Sequence, residues 1–247
     1  MLIAFHSYKG GTGKTLLSVN LATILANNDK KVCLLDLDFS APSLNVIFKN
    51  VAAEYWLNDY LNRDCGIDKV LKDCCSDYVA NRRIFVGLAN PSPKAIQKIA
   101  AKDRKWEMKA LSRLLSLKTL LLKKLKFDHV ILDTSPGLQY SSINAVFSAD
   151  AVFLVTTLEK SDIEGTRRMI QDLYEIFDRK AKIILNKVQF DSLSIGKLKF
   201  DWLGLPIIGA IPCSCDILEA EEYFLAGKKP NHAFIRTLKE VATEIEQ

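Results

Sequence analysis

The chain has 247 residues, 49% of them apolar, with a formal net charge of +5. That length and apolar content suit one large α/β domain over residues 1–247 with a substantial core. They are accompanied by no apolar run of the ~18 to 20 residues that cross a bilayer, and six scattered cysteines fit reduced thiols in a cytoplasm better than a disulfide framework.

Leu2 to Phe5 reads as a buried strand and Leu16 to Asn27 as a helix, with a glycine-rich turn between them. Met1 to Phe5 is too short for the apolar core of a signal peptide and runs straight into that turn. Lys31 to Asp36 is a continuous apolar run of the kind buried on both faces of a sheet, and it closes on Asp36 and Asp38. Residues 44 to 82 read as short helices and turns, including helical spacing at Trp56, Leu57, Tyr60 and Leu61 and a short helix from Asp68 to Lys72. Arg83 to Leu88 is the next expected strand.

Pro91 and Pro93 precede a basic stretch, Lys94 to Lys124, expected as two helices, the second with Leu111, Leu114, Leu115, Leu122 and Leu125 on an apolar stripe. From Lys94 to Lys126 there are eleven Lys or Arg against Asp103 and Glu107. Phe127 to Asp133 and Ala151 to Thr156 are strands. Ser161 to Phe177 is an amphipathic helix with Ser161 and Glu164 at capping-box spacing. Ala181 to Leu185 and Pro206 to Ile211 are the last strands, and helices at about Asp216 to Ala226 and His232 to Glu246 close the chain. The alternation predicts a doubly wound, mostly parallel sheet with helices on both faces, a three-layer Rossmann-like arrangement.

The turn after the first strand is Ser7-Tyr8-Lys9-Gly10-Gly11-Thr12-Gly13-Lys14-Thr15. Small residues there let backbone N–H groups close around phosphate oxygens, and the helix start adds unpaired donors and the positive end of its dipole. Lys14 is placed to reach the outer phosphates and the Thr15 hydroxyl to ligate Mg²⁺. Asp133 closes an apolar strand, where it can hold Mg²⁺ through water, and Gly137 can sense a γ-phosphate by its N–H. The common phosphate-loop pattern wants glycine at the place of Tyr8. Instead there is a second lysine, Lys9.

This arrangement resembles the deviant Walker A motif, KGGxGK[ST], of the MinD/ParA/Mrp family of P-loop ATPases. The resemblance runs from Leu2 to about Pro230. It implies binding of ATP and Mg²⁺, with Gly10, Gly11, Thr12, Gly13, Lys14 and Thr15 as the cradle and Thr15, Asp36, Asp38 and Asp133 around the metal. It implies that Asp38 orients the attacking water and that Lys9 crosses a two-fold axis in an ATP-bound homodimer, as an arginine finger does from a partner. It implies adenine contacts from Asn186 and Pro212. Asn186-Lys187-Val188-Gln189 lacks the aspartate that a guanine site needs, so ATP is expected over GTP.

The implied output is a dimerisation switch acting on an unidentified protein partner in positioning, partitioning or regulation. Two alternatives stay open: metal-centre (Fe–S or Ni) maturation through Cys213 and Cys215, and DNA partitioning through the basic 94–126 stretch, whose other reading is a solvated helical face. The final helix carries Glu240, Glu244 and Glu246 on its polar face, which argues for packing in the core and against membrane binding.

Overall fold

Every side chain of β1 (Leu2–His6) and β2 (Val32–Leu37) is buried. Successive residues of a strand point to opposite faces, so a run buried throughout needs cover on both sides. Leu2, Ala4, Cys33 and Leu35 enter one core, and Ile3, Phe5, Val32 and Leu34 the other. The computed structural model describes residues 1–74, 84–178, 180–189, 202–214 and 223–246.

The remaining strands are β3 (Lys72–Asp73), β4 (Ile84–Gly87), β5 (His129–Thr134), β6 (Ala151–Thr156), β7 (Lys182–Val188) and β8 (Ile207–Pro212). They form one eight-stranded sheet in the order β3-β4-β2-β5-β1-β6-β7-β8. All neighbours are parallel except the β3–β4 pair at the edge. The expected helix over Asp68–Lys72 is shorter and one residue earlier, α4 (Ile67–Val70), because Lys72 and Asp73 pair with β4 instead.

One face of the sheet carries α1 (Lys14–Asn27), α2 (Leu44–Ile47), α9 (Leu225–Lys228) and α10 (Ala233–Glu246). From Leu17 to Ala26 α1 is buried on all sides, as a helix without a polar stripe must be. Its outer side is covered by α10, whose Phe234, Ile235, Leu238 and Val241 are buried. Asn20 pins α1 to the segment before α9 by donating to the Tyr223 carbonyl at 2.8 Å and accepting from the Ala226 N–H at 3.0 Å. Of the helix expected over Asp216–Ala226, residues 216–222 lie outside the described residues.

The other face carries α3 (Leu57–Asn62), α4, α6 (Arg104–Thr119), α7 (Tyr140–Ser148) and α8 (Lys160–Met169). The basic stretch is two helices, α5 (Pro93–Ala100) and α6, the latter prolonged by a π-helical turn at Leu120–Lys124. Its buried stripe runs through Ala110, Leu114, Leu117 and Leu121, whereas the expected Leu115 and Leu125 are exposed. The small Ala110 lets α6 turn that face to the sheet. α8 is capped from Glu159, so Ser161 lies inside it and not at its cap. α8 continues into a π-helical turn at Ile170–Glu175.

Candidate functional site

β1 ends in the middle of the sheet, between β5 and β6, and the chain must turn sharply there to enter α1. Gly11 and Gly13 make that turn at φ of +75° and +96°, the left-handed region that side chains disfavour. Gly13 also has no space for one, since a Cβ would lie 2.2 Å from Asn186 Nδ2. That buried amide on β7 donates to the Thr12 carbonyl at 2.7 Å and braces the loop from behind. No side chain caps α1, which leaves its first-turn N–H groups for an anion.

The two loop lysines have different surroundings. Lys14 is buried, and its ammonium donates to Ser7 Oγ at 2.8 Å, which in turn donates to the Lys9 carbonyl at 2.6 Å. Burial lowers the Lys14 pKa against the pull of Asp133 and Asp38, so phosphate oxygens beside it would relieve a desolvated charge. Lys9 is half exposed. Its ammonium donates to Ser161 Oγ and lies 3.6 Å from the Glu159 carboxylate, both at the start of α8 in the same chain.

Behind the loop, β2 and β5 set Asp36 and Asp133 side by side. The Thr15 hydroxyl donates to Asp133 Oδ2 at 2.7 Å and lies 3.2 Å from Ser43 Oγ. Burial pushes the Asp133 carboxyl up to about 6, opposed by the Thr15 hydrogen bond. Burial, reinforced by Asp133, raises Asp36 well above the usual carboxylate range. Asp36 Oδ2 and Asp133 Oδ1 are buried without a hydrogen-bond partner. Two orphaned carboxylate oxygens next to a hydroxyl suit a hard cation such as Mg²⁺, which takes oxygen ligands and completes its shell with water and phosphate. Among the described residues no group of three His, Cys, Asp or Glu side chains converges as a metal site.

Asp38 sits one turn further on. Its Oδ1 accepts from Ser40 Oγ at 2.7 Å, the Ala41 N–H at 3.0 Å and Ser135 Oγ at 2.9 Å, tying the segment after β2 to the loop after β5. In that second loop the Gly137 N–H already donates to the Ser7 carbonyl at 2.8 Å. It is therefore not open to a γ-phosphate in this conformation. The Gly137 carbonyl accepts from His6 Nε2 at 2.8 Å. Nε2 must carry the proton, so Nδ1 accepts the hydroxyl proton of Tyr174, 2.7 Å away in the π turn after α8.

A cavity of about 660 Å³ opens over the loop. It brings together Gly10, Gly11, Gly13, Lys14, Thr15, Asp38, Asn186 and Pro212. Thr12, Asp36 and Asp133 are buried and do not line it, and Lys9 is likewise absent from its wall. Ser43, Cys213, Tyr223 and Phe234 also line it. Sequence reasoning set Cys213 near the base pocket, because it follows Pro212, but gave Ser43, Tyr223 and Phe234 no place at the nucleotide. Ser43 stood in the run after Asp38, but Tyr223 and Phe234 arrive from a distant segment with no motif to mark them. Cys213 is exposed there, and Cys215 lies outside the described residues.

The family model described as an AAA domain matches residues 1–188. The septum site-determining protein MinD of Synechocystis is 30% identical over 217 residues, covering 85% of this chain and 75% of that protein. Two solved structures share the fold. MinD of Pyrococcus horikoshii complexed with Mg-ADP superposes with a TM-score of 0.77 at 22% identity, covering 100% of this chain and 96% of that one. A Borrelia burgdorferi plasmid partition protein bound to AMPPNP superposes with a TM-score of 0.76 at 20% identity, covering 99% and 97%.

Proposed function

This chain belongs to the MinD/ParA family of P-loop ATPases, and on that footing we propose that it is a Mg²⁺-dependent ATP hydrolase working as a dimerisation switch. It acts as one domain over residues 1–247, in the cytoplasm, on a protein partner in positioning, partitioning or regulation. The observation that carries the reading is the convergence of Lys14, Thr15 and Asp133 at the start of α1, with buried carboxylate oxygens unpaired beside them.

In this reading the loop amides and Lys14 hold the phosphates of ATP. Thr15 and Asp133 hold Mg²⁺, with Asp36 alongside. Bound Mg²⁺ would neutralise charge between the outer phosphates. Asp38 orients water toward the γ-phosphorus, its Oδ2 serving as the acceptor because Oδ1 is committed to three donors. Phosphoryl transfer asks chiefly for positioning and charge neutralisation, and these residues supply both. Asn186 and Pro212 flank the base. Lys9 leaves Ser161 and reaches the partner's phosphates when two ATP-bound copies meet.

A second reading, ATP-dependent DNA partitioning, draws on the cationic stretch from Lys94 to Lys126 and on the likeness in fold to a plasmid partition protein. Salt-sensitive duplex binding that appears only with ATP would favour it.

Sedimentation with AMPPNP and Mg²⁺ tests the switch. Wild type is expected to shift to dimer mass, and Lys9→Ala to remain monomeric while still binding nucleotide. A Lys9→Ala protein that dimerises like wild type would return Lys9 to a local role, and a wild type that binds no nucleotide would remove the ATPase reading itself.

A further inference from the structure

His6 closes β1 immediately before the phosphate loop, and Tyr174 lies in the π-helical turn that ends α8. Both are buried, at 0% and 2% exposure, and neither lines the phosphate cavity. A π turn interrupts the regular hydrogen-bond ladder of a helix, and such turns recur at functional positions. Here the turn delivers one hydroxyl to one ring nitrogen, Tyr174 Oη to His6 Nδ1 at 2.7 Å. Burial keeps the imidazole neutral, with its pKa down to about 4, and raises that of the phenol, which therefore keeps its proton for donation. The tautomer is thereby fixed, and Nε2–H points at the Gly137 carbonyl, 2.8 Å away.

Gly137 is held on two separate peptide planes. The Gly137–Leu138 plane presents its carbonyl to His6. Ser142 Oγ lies 2.9 Å from the same oxygen, but its one proton is divided with the Gln139 carbonyl at 2.8 Å, so His6 is the undivided donor. The Pro136–Gly137 plane presents its N–H to the Ser7 carbonyl at 2.8 Å. That bond must break before the N–H can meet a γ-phosphate, whereas the His6 bond need not. Gly137 joins the planes at a φ of +71° with no Cβ to limit rotation, and the ring of Pro136 fixes its own φ. The N–H plane can therefore turn through ψ of Pro136 and φ of Gly137 while the carbonyl plane stays where His6 holds it.

We propose that His6, locked by Tyr174, is a positioning residue for γ-phosphate sensing: it anchors the carbonyl side of Gly137 so that the N–H side swings alone onto the terminal phosphate. Gly137 senses a γ-phosphate only if the chain is the ATPase proposed above, so the anchor rests on that reading. Without the anchor, contact with the γ-phosphate would have to order two peptides in place of one, and that further ordering opposes binding of a triphosphate. A diphosphate leaves the Ser7 bond intact and makes no demand on the anchor.

Calorimetry of the full chain with AMPPNP and with ADP, each with Mg²⁺, tests this on wild type, His6→Ala, Tyr174→Phe and His6→Gln. Thermal melts establish that each variant is folded. In His6→Ala the ratio of AMPPNP affinity to ADP affinity is expected to fall about three- to tenfold, with ADP affinity itself within about twofold of wild type. Tyr174→Phe, which keeps the packed ring and frees the tautomer, should move the ratio in the same direction, and it carries the test should His6→Ala not fold. His6→Gln, whose amide nitrogen can stand where Nε2 does, should restore the wild-type ratio. A packing role alone would lower the melting temperatures and leave the ratio unchanged, which overturns the proposal. A ratio that rises would also overturn it, because His6 would then restrain the sensor, and so would a His6→Gln protein that behaves like His6→Ala. Wild type that binds neither nucleotide removes the ATPase reading and the anchor with it. Wild type that binds both, with a ratio the variants do not move, removes the anchor alone.

Discussion

Asp38 and His6 both act on the two loops above the phosphate cavity, by opposite means. Asp38 Oδ1 gathers three donors from both loops. The assigned role needs its second oxygen as an anion beside water. Asp38→Asn should therefore keep the loop ties through the amide oxygen, keep ATP affinity within a few-fold, and cut turnover by about a hundredfold, in the range of a lost general base. Calorimetry with AMPPNP and a phosphate-release assay read the two effects separately, and wild-type turnover would reassign the water-orienting role.

His6 works as a neutral clamp. Burial holds its imidazole down to about 4, against an ordinary 6.5. The unfolded chain takes up a proton near 6.5 and the folded one only near 4, so acid favours unfolding. The stability tied to neutral His6 is present above 6.5 and is lost as pH falls toward 4. The full swing is about 3 kcal/mol. Asp36 and Asp133 titrate in the opposite sense, since their carboxyls are raised, and a comparison with His6→Gln removes that background. Denaturant melts should show the wild-type advantage over His6→Gln shrinking as pH drops through this window. A gap that stays constant would mean that the imidazole is not the titrating clamp.

At the level of elements, legibility followed the regularity of the pattern. β1, β2, β5 and β6 are continuous apolar runs with polar ends, and α1 starts where glycine and lysine fix it, so both the parallel sheet and the tight turn between β1 and α1 could be read directly. α7 was not anticipated. Its segment mixes Ser142, Asn144 and Ser148, all buried, with Ile143, Val146 and Phe147, and the serines satisfy themselves locally, Ser148 Oγ on the Ala145 carbonyl at 3.0 Å and Ser142 Oγ on Gln139 at 2.8 Å. Hydropathy counts such residues as polar and breaks the stripe. β3 is two charged residues paired with β4 and has no apolar pattern of its own. The cis contact of Lys9 joins positions 152 residues apart and has no local signal at all.

α8 shows why a glycine in an element can matter more than its propensity. A Cβ on Gly165 would lie 2.0 Å from Tyr8 Cε1. Alanine favours a helix over glycine by about 1 kcal/mol, and Tyr8 is 40% exposed, so its ring can swing away into solvent. Gly165→Ala should leave the melting temperature nearly unchanged while moving Tyr8, and with it the adjacent Lys9. The expected result is weaker AMPPNP-dependent dimerisation with nucleotide affinity intact. Unchanged dimerisation would show that the seat of Tyr8 on α8 does not position Lys9.

Across the whole molecule, α8 touches the machinery at both ends. Its first turn holds Lys9 through Ser161 and Glu159, and its closing π turn holds Gly137 through Tyr174 and His6. Two copies cannot exchange Lys9 unless each first leaves its own Ser161. That contact is at the surface, where a hydrogen bond or an ion pair nets about 0.5–1 kcal/mol. It sets a small threshold against pairing and leaves the phosphate cavity untouched. Ser161→Ala should lower the threshold in both copies at once and tighten the AMPPNP-bound dimer by about five- to thirtyfold, with no change in the nucleotide affinity of the monomer. Sedimentation equilibrium over a concentration series measures this directly. A looser dimer would mean that Ser161 supports the crossed lysine and does not restrain it, and an unchanged one would mean that Lys9 leaves α8 at no cost.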